Sequence, residues 1–231
     1  MHDRYPGYDV LRKRDTPSWN DATRSVIDAR LAIPDAARFL AAEEWQTLTA
    51  VCDRIVPQPA GRPRVSIAAL VDHKLANDHR DGYRQASLPP LREAWQRGLA
   101  ALDAEAQARH QRRFHALTVE SQDELLKAMQ DGKLDGPAWQ GMSPGTFFSE
   151  RVTHDILAAY YSHPTSWNEL GFGGPASPRG YVRMYFDRRD PWEAVEAKPG
   201  HEEEARRANQ QVGTWKPESL TRMNADEEEQ H

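Results

Sequence analysis

Apolar residues in this chain recur three and four positions apart far more often than they alternate, so the pattern predicts helices and almost no sheet. Ser18 or Asn20 supplies a cap for a first helix to about Leu31, flanked by Val26, Ile27, Arg30 and Leu31 and ended by Pro34. From Glu43 to Val56, the spacing of Trp45, Leu48, Cys52 and Ile55 puts all of them on one helical face. Pro57-Gln-Pro59-Ala-Gly61 then stops the run. Ile67, Leu70, Val71 and Leu75 mark a third helix to about Asn77. A fourth starts near Pro89-Pro90, with Leu91, Trp95, Leu99 and Leu102 on one stripe and alanines extending it to roughly His110.

Thr118 and Ser121 are both suitable N-caps for a fifth helix that carries Leu125, Leu126 and Met129 and ends at Gly132 or Gly136. Ser143-Pro144, a cap followed by a first-turn proline, opens a sixth. Its wide stripe of Phe147, Phe148, Val152, Ile156, Ala159 and Tyr160 stops before Pro164. The expected fold is therefore all-α, an irregular bundle of about six helices with connections of very unequal length. One helical domain over 18–192 is expected, with a polar N-terminal arm at 1–17 and a charged tail at 193–231. A surface helix at 201–211 and an acidic end at 226–229 fall within that tail.

The segment from His163 to Tyr181 breaks the pattern. It holds Pro164, Pro175 and Pro178 and four glycines, Gly171, Gly173, Gly174 and Gly180, a mixture expected to exclude both helix and central strand. It also holds Trp167, Leu170, Phe172 and Tyr181, apolar groups that a solvated linker lacks, so it reads as a long ordered strap packed on something. Tyr181 to Phe186 has a short strand-like run with no partner strand elsewhere.

Composition narrows the function classes. The net charge of −5 is concentrated at the end, where Arg206, Arg207, Lys216 and Arg222 face eight acids over residues 200–231. The body is nearly neutral, and no basic stripe interleaved with aromatics favours nucleic acid. No apolar run reaches the roughly 18–20 residues of a membrane span. The start of the chain has no apolar stretch after its charges, Arg12-Lys13-Arg14 included, so neither a general secretion signal nor a twin-arginine signal is legible. The single Cys52 excludes an internal disulfide and a CxxCH haem attachment. Its place on an apolar helix face predicts a buried small hydrophobe ahead of a bridge to another chain or a reactive thiol.

Four groups of residues invite chemistry. Gly171-Phe-Gly173-Gly-Pro-Ala176 formally fits the dinucleotide fingerprint, but no strand precedes it and prolines follow where a helix would start, so its glycines shape the chain. Glu150, His154 and Asp155 on the sixth helix offer metal-ligand atom types, without the paired Glu-x-x-His motifs of a carboxylate-bridged bundle. Asp72, His73 and His79, like His110 and His115, match no zinc spacing. Ser162, His163 and Asp155 lack a nucleophile elbow. No catalytic, cofactor-binding or metal-binding residue is expected. Trp167, Phe172, Tyr181, Tyr185 and Trp192 beside Arg179 and Arg183 are the residue types of binding hot spots, or equally of side chains that pin the strap to its own core.

The run from Phe147-Phe148 through Tyr160-Tyr161, then Trp167-x-x-Leu170-Gly171, Gly174-Pro175, Pro178 and Gly180-Tyr181, resembles the gluconate 2-dehydrogenase subunit 3 family. Ile55-Val56-Pro57, Asp72 and Phe114-x-x-Leu117 extend the similarity over about residues 40–192. The resemblance implies a small, cofactor-free subunit of a dehydrogenase that oxidises sugars, sugar acids or glycosides. In such complexes catalysis belongs to an FAD enzyme of the glucose-methanol-choline (GMC) type, often with a c-type cytochrome, and the small subunit assists folding, stability and export.

Many family members begin with a twin-arginine signal. With none legible here and Met1 at the start, a cytoplasmic location is expected. The alternative is the periplasm, with the signal removed or supplied by the partner. Trp167, Phe172, Gly174, Pro175, Arg179 and Tyr181 become the candidate partner-binding residues. Two other readings stay open: a metal-dependent helical-bundle enzyme using His and carboxylate ligands, and a self-contained scaffold.

Overall fold

The computed structural model describes residues 3–82, 85–177, 180–184 and 189–214. Eight helices are found among them: α1 (Asp21–Leu31), α2 (Ala42–Ile55), α3 (Ile67–Ala76), α4 (Leu91–His110), α5 (Val119–Gln130), α6 (144–161), α7 (Pro164–Leu170) and α8 (Glu202–Gln210). The only β pairing among the described residues is an isolated bridge between Trp19 and Ser177. The all-α expectation holds, and its helix limits fall within a residue or two of the predicted ones.

The described chain gathers into two compact units, residues 33–160 and residues 1–32 with 161–231. The unit over 33–160 contains α2 to α5 and nearly all of α6. Its core runs along α4, where Trp95, Leu99 and Leu102 are buried with Leu48 and Val51 of α2 and Leu125 and Met129 of α5. Gly98 sits mid-helix in α4 because the Phe147 ring lies where a Cβ would be, 2.2 Å from it. Phe147 then meets Trp95 edge-on, with ring centroids 5.5 Å apart, and Trp139 at 6.2 Å. Thr118 is the cap that α5 uses, its hydroxyl accepting from the Ser121 N–H at 3.4 Å.

α6 is not uniform. Between Pro144–Phe147 and His154–Tyr161 the backbone widens into a π-helical stretch, Phe148–Thr153, which the sequence pattern does not reveal. Arg151, Val152, Asp155 and Ile156 are all buried along it, so two charged side chains share the apolar side.

In the other unit the segments read as an arm and a tail are built into the core. Tyr8, Val10, Trp19, Ile27, Trp167, Trp192 and Val212 form its buried cluster. The Val10 N–H donates to Asn168 Oδ1 at 2.8 Å. Asn209, fully buried, donates to the Pro6 and Val195 carbonyls at 3.0 and 2.9 Å and accepts from the Val195 N–H at 2.7 Å. The arm reading fails because these apolar residues follow no helical or strand period, and a periodic search passes over an irregular segment held by amide side chains. The 226–229 end lies outside the described residues.

Candidate functional site

Part of the strap is helical. α7 forms at Pro164–Leu170 because Pro164 occupies the first helical position, where its missing N–H costs nothing, and His163 Nδ1 accepts from the Thr165 N–H at 3.2 Å. Gly171, at φ 64°, ends it, and the next proline lies beyond, at Pro175. The expectation that this segment excludes helix is therefore corrected: a proline that stops one helix also starts the next. After Gly171 the described chain is irregular, and the strand-like run shows no strand over 181–184, its remainder at 185–186 lying outside the described residues.

The candidate residues then divide. Trp167 is buried at 3% exposure, and its indole N–H donates to the Tyr161 carbonyl at 2.6 Å. Gly174 is buried against it at φ 66°, where a Cβ would come within 2.7 Å of the Trp167 ring, so this position needs glycine twice over. Pro175 is half-buried. Phe172 stands edge-on to Trp167 at 5.7 Å and 6.3 Å from the Tyr181 ring, whose hydroxyl donates to the Gly174 carbonyl at 3.3 Å.

The outer faces of these groups are open. Leu170, Phe172, Tyr181 and Val182 are 50%, 41%, 73% and 73% exposed. Arg179 and Tyr185 lie outside the described residues. Trp192 is buried in the unit's own core, and Arg183 is held by Glu193 through two hydrogen bonds of 2.9 Å. Trp167 and Trp192 pin the strap to its own unit's core, while Phe172 and Tyr181 keep exposed faces.

The other candidates have structural partners. Asp72, fully buried, accepts from the Arg38 and Leu40 N–H groups at 2.6 and 2.9 Å, and Phe39 N–H lies 3.2 Å from both its oxygens. It orders the chain entering α2. His73 Nδ1 faces the Arg38 guanidinium at 3.1 Å, and burial, together with that cation and His79, holds the imidazole below its ordinary pKa. Burial and the nearby Arg30 do the same to His163.

Asp81, His154 and Asp155 do bring three potential ligand atoms within 4.8 Å of one another, and Glu150 is not among them. The Lys74 ammonium stands 2.6 Å from Asp81 and 2.8 Å from Asp155, with an Arg151 nitrogen 3.3 Å from Asp81. Burial pulls Lys74 down, but its bonds to Asp155 and Asp81 outweigh this and hold it above its usual value. Asp81 is correspondingly held below the carboxylate range: burial alone would raise it, and Lys74 prevails. The carboxylates already have their counter-charge, so a metal ion would have to displace an ammonium.

The family model for gluconate 2-dehydrogenase subunit 3 matches residues 42–174. The chain belongs to this family. No curated protein and no solved structure matches it. The subunit 3 match takes in α2 to α7 and closes at the strap's Gly174, so Trp167, Phe172 and Gly174 lie inside it and Pro175, Arg179 and Tyr181 beyond. A subunit 3 chain is by description an accessory part of a dehydrogenase complex and implies a partner. No helix among the described residues is long and apolar enough to cross a membrane. Sequence reasoning passed over Lys13 and Trp19, which the fold buries beneath the strap. The basic triplet around Lys13 has no pattern that distinguishes its middle residue.

Proposed function

We propose that this chain is a non-catalytic small subunit that binds and stabilises an FAD-dependent dehydrogenase of the GMC type acting on sugars, glycosides or sugar acids. The observation that carries it is the set of exposed apolar side chains Leu170, Phe172, Tyr181 and Val182, within thirteen residues that straddle the end of the family match at 174. Exposed apolar groups clustered in this way are characteristic of surfaces that another protein covers, and aromatic anchors contribute most to such contacts. FAD belongs to the partner in this reading. A c-type cytochrome is a further component, detectable by its haem absorbance in the purified complex.

Co-expression tests the proposal. The flavoprotein is expected to be soluble, FAD-loaded and active with this chain and to lose at least one of these without it. Phe172→Ser with Tyr181→Ser should release the chain from the complex. A flavoprotein equally loaded and active alone overturns the reading. So does stoichiometric metal in the purified chain, lost on His154→Ala, because that would make it a metal enzyme.

A further inference from the structure

A cleft of about 730 Å³ opens beside the strap, with Phe172, Tyr181 and Trp192 among its walls and Lys13 and Ser18 also lining it. Lys13 is only 3% exposed. It closes the short 3-10 turn Val10–Lys13, which is fixed at its start by Asp9 Oδ1 accepting from the Leu11 N–H at 3.1 Å. The turn delivers the side chain inward, where the charges of Glu193 and Asp190 act on it without a hydrogen bond to either. Among the described residues the Lys13 ammonium has neither a hydrogen-bond acceptor nor an ion-pair partner. It lies over the Trp19 ring, 5.6 Å from the centroid, and the Trp19 indole N–H is itself buried without an acceptor.

The indole N–H is a buried donor left unmet, which is unusual, and the lysine beside it carries a largely buried charge that is costly unless paired. Among the described residues, the acids acting on Lys13 are committed elsewhere. Glu193 takes both nitrogens of Arg183 and the Asp190 N–H at 3.1 Å, and Asp190 accepts from the Met184 N–H at 2.9 Å. Arg189 donates to the Ala194 carbonyl at 2.8 Å. With Lys13, Arg183 and Arg189 against Asp190 and Glu193, the described lining residues carry one positive charge in excess. Gly173 leaves room beside it, since a Cβ there would lie 3.0 Å from Lys13 Nζ.

We propose that this cleft binds an organic carboxylate whose charge pairs with Lys13 Nζ and whose apolar body lies against Phe172, Tyr181 and Trp192. A monoanion matches the single excess charge, whereas Asp190 and Glu193 would repel the second charge of a phosphate. Burial draws Lys13 down to about 8, with Glu193 and Asp190 opposing in part, so the ammonium form still prevails at neutral pH. The site does not depend on the flavoprotein reading. A free acid and an acidic side chain of a bound protein share this chemistry, and the test separates them.

Benzoate titrated into the full chain, followed by equilibrium dialysis and tryptophan fluorescence, is expected to bind saturably at one site. Binding should weaken at least about tenfold in Lys13→Met and as pH rises past about 8, the value burial gives Lys13. Gly173→Ala keeps the lysine and crowds its ammonium, so it should weaken binding too, with an unchanged melting temperature showing that the fold is intact. If benzoate does not bind but Lys13→Met loosens the complex with the flavoprotein at least about tenfold, the carboxylate comes from that protein. Benzoate binding unaffected by Lys13→Met, or no effect in either arm, overturns the proposal.

Discussion

Replacing Lys13 by methionine should make the protein more stable at neutral pH. The change keeps the length of a side chain that is 3% exposed and removes a charge with no hydrogen-bond or ion-pair partner among the described residues. In the folded state burial lowers this lysine from 10.5 to about 8. Each pKa unit corresponds to about 1.4 kcal/mol, so holding the ammonium in the folded state at pH 7 costs about 3 kcal/mol. The cation above the Trp19 ring returns about 1 kcal/mol, which leaves a gain near 2 kcal/mol for Lys13→Met.

The sign with pH is distinctive. Below about 8 both folded and unfolded chains carry the proton and the cost is present in full. Between about 8 and 10.5 only the unfolded chain keeps it, so the cost fades, and above 10.5 it is gone. Urea unfolding of parent and variant at pH 7, 9 and 10.5, followed by tryptophan fluorescence, measures this. The expected gain is about 2 kcal/mol at pH 7, shrinking steadily to little at pH 10.5. A loss of stability at pH 7 would refute the reasoning. A gain that does not change with pH would refute it equally, because relief of a buried charge must vanish when the charge does.

Gly98→Ala should destabilise by about 2 kcal/mol or more by calorimetry, although alanine is the better helix former by about 1 kcal/mol, because its methyl would meet the Phe147 ring. Asp155→Asn should cost about 2 kcal/mol by thermal melting, since it weakens the charge-assisted bonds from Lys74 and the Trp95 indole, both at 2.8 Å, while Asp81 keeps the ammonium paired. Tyr181→Ser should change stability by less than about 0.5 kcal/mol while weakening the complex with the proposed partner about tenfold, read by dissociation kinetics, because the ring is 73% exposed. Cys52, buried in the α2 face and with its thiol pushed up by burial, should react with a thiol reagent only as fast as the chain unfolds.

The helices of residues 33–160 were legible because each owes its place to a period that a sequence displays. Trp45, Leu48, Cys52 and Ile55 are on the face of α2 that enters or borders the core, as their spacing demands. The π-helical stretch in α6 was not legible, since a single inserted residue in a helical ladder leaves the apolar stripe looking continuous. The other unit was half legible. Trp167, Gly174 and Phe172 announced an ordered strap, but its helix depended on whether Pro164 would end one helix or begin another, and both happen within three residues. The Pro6 to Trp19 segment has no period at all. Its fold rests on the amides Asn168 and Asn209, distant in sequence, and no local pattern carries that information.

Two buried charges beside tryptophans show how satisfaction separates scaffold from site. Asp155 receives the Lys74 ammonium at 2.8 Å, the Trp95 indole N–H at 2.8 Å and His154 Nδ1 at 3.1 Å. A carboxylate so fully occupied holds the bundle in register and has little capacity left for a ligand. Lys13 has the same kind of neighbour in Trp19 but no acceptor, and neither does the indole. Such an arrangement costs stability in the empty protein, and a bound anion would offset that cost. The stability measurement on Lys13→Met and the carboxylate titration therefore test one idea from opposite sides. The same substitution should strengthen the empty protein and weaken the occupied one, and no purely structural role for Lys13 predicts both.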